Sequence, residues 1–171
     1  MQMVKKSILY MAIVWVALFA FMPKQAFYYR LEQVLQTQGF EMSGETLDEG
    51  IFSFSVKHPS LYIKGVKVAT VDQIDLFSLL FYTTLKVQDT AIDSSLRSMA
   101  PEHIGMIKAS YTILSPFGVS VWATGDFGTM EGVIDLKNRK VRLDLVEEKE
   151  IAAIRSRLLK DEKGWYYEAS F

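Results

Sequence analysis

The chain has 171 residues, 50% hydrophobic, 13% aromatic and 23% charged, which suits one folded domain and excludes general disorder. Nineteen Lys+Arg stand against twenty Asp+Glu, for a net charge of -1, so no nucleic-acid partner is expected, because phosphate binding needs a cationic excess. There are no cysteines and only two histidines, His58 and His103. Disulfides, thiolate metal sites and cysteine nucleophiles are thereby removed, and no cofactor or metal is expected.

Lys5 and Lys6 precede an uncharged run from Ser7 to Met22, with Trp15 at its centre, closed by Pro23 and Lys24. As a helix this run spans roughly 24 Å against a hydrocarbon core of about 30 Å. Snorkelling lysines at both ends make up the shortfall. A cleaved leader needs small residues before its cut, but Lys24 lies two residues before Ala26 and Leu18 two before Ala20. The segment therefore reads as an uncleaved single-pass anchor, residues 1–26, with its N-terminus cytoplasmic. Residues 27–171 then form an extracytoplasmic β-rich domain, periplasmic in a bacterium with two membranes. Without the three lysines of the anchor this part has sixteen basic and twenty acidic residues, or -4.

Phe27 to Gln38 carries Leu31, Val34 and Leu35 at helical spacing and stops at Gly39, which predicts a helix. From Phe40 the period becomes two. Phe52, Phe54 and Val56 alternate with serines and Lys57; Leu61 and Ile63 follow in one phase, and Val66, Val68, Thr70, Ile74 and Leu76 in the other. The phase slip at Gly65 predicts a bulge or sharp bend there. Leu79 to Asp89 is another strand, and Asp93 to Met99 a short capped helical piece ahead of Pro101.

Strands resume at Ile107–Ile113, Phe117–Ala123, Met130–Leu136 and Val141–Leu145, separated by turns at Ser115–Gly118, Gly125–Gly128 and Lys137–Arg139. The expected fold is mainly β: an antiparallel meander with one apolar and one polar face and one or two flanking helices. The cover is expected from a helix over Glu148–Lys160, with Ile151, Ile154, Leu158 and Leu159 on one stripe. Trp165 to Phe171 reads as a last short strand.

No enzyme motif is present, so the chain is not expected to be an enzyme. Gly125-Asp126-Phe127-Gly128 contains a kinase-like triplet without the glycine loop, lysine or catalytic loop that give it meaning, and reads as a turn. Asp72, Asp75, Asp89 and Asp93 lack the spacing of a compact calcium loop and read as solvated strand ends. His58 and His103 read as surface or capping residues, with no serine or acid arranged beside them for catalysis. Trp122, opposite in phase to Val121 and Ala123, and the cluster Trp165, Tyr166 and Tyr167 are the candidate partner or lipid contacts. An incompletely covered apolar sheet face is a further one.

Gly65-Val-Lys-Val-Ala69, Val71-Asp-Gln-Ile-Asp-Leu76, Phe77-Ser-Leu-Leu-Phe-Tyr82 and Leu85-Lys-Val-Gln-Asp89 resemble the strand–SLL–strand unit of AsmA-like proteins and of type II secretion protein N. Leu47 to Phe52, after one N-terminal membrane helix, resembles their leading segment, and Gly125 to Gly128 with Gly132 resembles their later glycine-bearing strands. The resemblance implies an inner-membrane anchor, a periplasmic sheet and a role in envelope transport, with no catalytic motif to carry over. Two functions follow from it as expectations. One is an accessory component of an envelope secretion system that contacts protein partners. The other is a lipid-binding or lipid-transport module that uses the apolar sheet face.

Overall fold

The computed structural model describes residues 36–37, 39–44, 46–79, 81–96 and 100–171. The anchor residues Lys5, Lys6, Trp15, Pro23 and Lys24 lie outside these, as does the helix expected from Phe27 except for helical Gln36 and Thr37. Among the described residues no helix is long and apolar enough to cross a membrane.

Among the described residues twelve strands form one antiparallel sheet: β1 (Phe40–Ser43), β2 (Thr46–Glu49), β3 (Ser53–Lys57), β4 (Ser60–Ile63), β5 (Val66–Leu79), β6 (Tyr82–Ile92), β7 (His103–Thr112), β8 (Gly118–Gly125), β9 (Gly128–Asp135), β10 (Lys140–Glu148), β11 (Leu159–Asp161) and β12 (Gly164–Ser170). Their order is β1-β4-β5-β6-β7-β8-β9-β10-β12-β11, with β3 also on β5 and β2 on β3. The meander expected from the alternating pattern is thus present.

The 14-residue β5 holds two partners along one edge. Its first half pairs with β4 and its second with β3. Its buried side changes where the partner changes. Ala69 and Val71 are buried in the first half, whereas Ile74 and Leu76 pack on Phe54 and Val56 in the second. The expected stripe of Val66, Val68 and Thr70 is therefore not the buried one. Of the bulge or sharp bend predicted at Gly65, the bend is there and a bulge lies further on. Lys64 and Gly65 have φ of 50° and 78° and make the tight β4–β5 turn, a left-handed conformation that suits glycine. Leu61 then pairs with Ala69 and Tyr62 with Lys67, which leaves Val68 as the extra residue.

The expected helix over Glu148–Lys160 does not form. Its first residues continue the hydrogen bonding of the sheet: the Lys149 and Glu150 N–H groups donate to the carbonyls of Phe127 and Asp126. Only Arg155–Arg157 makes a 3₁₀ turn, and Leu159 joins the edge strand β11, exposed. A polypeptide that starts as a ladder and ends as a strand has too few residues left for a stable α-helix. The apolar stripe still covers the sheet: Ile151, Leu158 and Ile154 pack on Ala123, Phe127 and Met130. Of the piece expected over Asp93 to Met99, residues 97–99 lie outside the described residues, and Ser94–Leu96 forms a 3₁₀ turn whose Ser95 N–H donates to Asp93 Oδ1 at 3.0 Å.

Candidate functional site

The register lines up two long apolar rows on one face. Val56, Ile74, Val87, Ile107, Ala123, Met130 and Leu145 are successive cross-strand partners. So are Phe54, Leu76, Leu85, Ala109, Val121, Gly132, Leu143 and Tyr167. Directly opposed residues in an antiparallel pair share a face, so both rows lie on the same side. The first row ends under the cap made by Phe127, Ile151 and Leu158. The second, and beyond it Tyr111, Val119, Ile134 and Val141, are half-buried apart from the buried Phe54 and the exposed Leu85. Fully burying a Val, Leu or Ile stabilises by about 1.5–3 kcal/mol, so an occupant that completed the cover would gain roughly half that per side chain.

The other face is polar and runs Ser55, Asp75, Lys86, Lys108, Trp122, Glu131, Asp144 and Tyr166 across successive strands. Two pairs break the usual rule against like charges opposite one another: Lys86 faces Lys108, and Glu131 faces Asp144. Trp122 stands between the cationic and the anionic pair. It is half-buried and lines an open hollow of about 620 Å³ with Lys108, Ser120, Glu131, Val133 and Asp144.

The aromatic cluster at the C-terminus divides between the faces, as strand alternation requires. Trp165 and Tyr167 pack against the capped core. Arg155 and Lys160 each lie 5.2 Å from the Trp165 ring centre, a cation–π arrangement that fastens the cap to β12. Tyr166 turns to the polar face, where the Arg142 guanidinium sits 4.1 Å over its ring. Arg142 also donates to Asp144 at 2.8 Å and Asp161 at 2.7 Å, tying β10 to β11 across β12. These hydrogen bonds raise the Arg142 pKa still further and lower that of Asp161. Trp122 and Trp165 are therefore on opposite sides of the sheet.

The four aspartates each have separate partners. Asp72 lies 3.2 Å from His58, and Asp89 lies 3.6 Å from His103. Asp93 caps its 3₁₀ turn. The Asp75 carboxylate accepts from Ser55 at 2.5 Å, Gln73 at 2.7 Å and Gln88 at 2.9 Å. Partial burial works against its ionisation, but these three bonds and nearby Lys86 outweigh burial and hold the pKa below the ordinary carboxylate value. Among the described residues no three His, Asp or Glu converge on a point fit for a metal. The kinase-like triplet is a hairpin turn: Gly125 pairs with Gly128, Asp126 accepts from the His103 N–H at 2.7 Å, and Phe127 is 5% exposed.

A further group lies just beyond the strand ends, where alternation reads every member but Leu114 as a strand residue. Phe81, Ile113, Leu114, Phe117, Leu136 and Phe171 are all exposed and lie at one end of the sheet. The available signal was the type of residue: large apolar side chains beside Ser115, Pro116, Lys137, Asn138 and Arg139.

Comparisons with protein-family models, curated proteins and solved structures find no match for this chain.

Proposed function

We propose that the protein is a non-catalytic, single-pass inner-membrane protein whose periplasmic sheet holds a lipid acyl chain against its apolar face. The observation that supports this reading is the continuity of the face: two rows of seven and eight cross-strand partners with no charged side chain in either. A face of this kind, capped at one end and half-covered elsewhere, favours a long apolar ligand over a compact polar one. The Ser7–Met22 segment supplies the anchor in this reading.

A second reading is favoured by Trp122. Like-charge pairs on either side of a half-buried tryptophan weaken the sheet locally, and such a cost is retained where a partner offsets it. On this reading the protein is an accessory component of an envelope secretion or assembly system, and the polar face contacts another protein.

Adjacent residues on opposite faces separate the two. A benzophenone amino acid is placed at Val121 or at Trp122 in the full chain, irradiated in cells, and the adducts are identified by mass spectrometry. Lipid adducts at Val121 but not at Trp122 are expected. Protein adducts at Trp122 with no lipid at Val121 would overturn the first reading and leave the second.

A further inference from the structure

The two ends of the sheet are built differently. At one end Phe127, Ile151 and Leu158 are buried under the segment that follows β10. At the other, the connections carry their largest apolar side chains outward. Leu114 is 92% exposed, Phe81 and Phe171 63%, and Phe117 58%.

These tips form an ordered row. Gly118, Asp135, Lys140 and Ser170 are successive cross-strand partners, so the connections just beyond them leave the sheet at one level. The connections are also joined to one another. The Ile113 N–H donates to the Phe81 carbonyl, Leu136 to Phe117, and Phe171 to Arg139. From β6 to β12 the row crosses six strands at about 4.8 Å spacing, or roughly 24 Å of a flat sheet. A row fixed by backbone hydrogen bonds cannot fold its apolar tips inward to hide them.

The charge beside the tips is net positive. Lys137, Arg139 and Lys140 follow Leu136 in the β9–β10 turn. One carboxylate, Asp135, stands against them and stays charged, accepting from the Asn138 backbone N–H at 2.9 Å and side chain at 2.7 Å, so three cations face one anion there. Apolar tips with adjacent Lys and Arg match the boundary between acyl chains and anionic headgroups. The expected membrane span ends at Met22, 18 residues before Phe40. Phe40 pairs with Ile63 at the opposite end of the sheet from the tips. About 60 Å of extended chain exceeds the roughly 46 Å length of β5, so the tether lets the tips turn back to a bilayer.

We propose that this end of the sheet is a bilayer-docking rim: Phe81, Leu114, Phe117 and Phe171 enter the headgroup–acyl boundary while Lys137, Arg139 and Lys140 rest on anionic headgroups. The rim docks whether or not the apolar face holds an acyl chain.

The absence of cysteine allows single labelling. Full-length Leu114→Cys and, at the capped end, Ser156→Cys carry an environment-sensitive fluorophore and are reconstituted into phosphatidylcholine vesicles with and without phosphatidylglycerol. The expected result is quenching by nitroxide-labelled lipid at position 114 at least about twofold that at position 156, larger with phosphatidylglycerol and reduced by salt. Replacing Lys137 and Arg139 by Glu removes the phosphatidylglycerol dependence. Flotation of the vesicles reports the anchor separately, so loss of flotation counts against the membrane span, whereas quenching reports the rim. A label at 114 that stays in water on floated vesicles, or equal quenching at 114 and 156, overturns the proposal. Burial of 114 only after a protein partner is added also overturns it.

Discussion

A β-carbon on Gly132 would overlap the backbone carbonyl of Arg142. The two strands approach so closely there that β9 has no room for a side chain, and the carbonyl cannot move without breaking the ladder it belongs to. Gly132→Ala is expected to destabilise the domain by about 1–3 kcal/mol, the usual cost of overpacking. Urea unfolding followed by circular dichroism measures it, and an unchanged midpoint would show that β10 yields freely.

Thr90 gives an effect of opposite sign. It is 6% exposed and its hydroxyl has no hydrogen-bond partner among the described residues. Thr90→Val keeps the branched shape and removes the unpaired group, so a gain of about 1 kcal/mol is expected. A loss of stability in the same urea experiment would mean that the hydroxyl is satisfied in solution.

Phe127 and Leu114 separate interior from rim. Phe127, in a two-residue turn, is buried against Ile151 and Leu158, and Phe127→Ala is expected to cost about 3–5 kcal/mol. Leu114→Ala, at the bare end, is expected to change stability by less than about 0.5 kcal/mol. Thermal unfolding of both variants tests this, and comparable losses would place Leu114 in a packed site.

Asp75 sets one part of the acid response. Its folded pKa lies below the ordinary 3.8, so its contribution is fully present above that value and is lost as pH falls through the lowered one. The site is partly open to solvent, and the contribution is screened to below about 1 kcal/mol. Asp75→Asn is expected to flatten the stability curve below about pH 4 while leaving its slope near neutrality unchanged. A curve parallel to that of the parent down to pH 2 would rule out the charged acceptor.

The meander was legible because alternation is a two-residue signal that each strand carries within itself. Val121 and Trp122 could be assigned to opposite faces from it alone. What local pattern does not carry is competition between partners. Ile151, Ile154 and Leu158 read as a helix stripe, yet the Lys149 and Glu150 N–H groups were drawn to the Phe127–Asp126 turn, a contact set by tertiary structure. Trp165 and Tyr166 read as one cluster because they adjoin in sequence, whereas alternation divides them. The change of buried side along β5 depends on where β4 ends and β3 begins, which no property of residues 66–79 encodes. The apolar rim was written in the chain but hidden by position: Leu114 falls beside a Ser-Pro pair that marks a turn, and Ile113, Phe117 and Leu136 continue the alternation of the strands they adjoin, which end one residue short of them.

The pairing of β5 through β10 has a consequence for biogenesis. Each of these strands is hydrogen-bonded to the one made just before it, and even β1 waits only until β4 for its partner, 23 residues from Phe40 to Ile63. With so little sequence between mates, the sheet can be laid down hairpin by hairpin while the rest of the polypeptide is still being delivered. Each finished hairpin offers its outer edge as the template for the next.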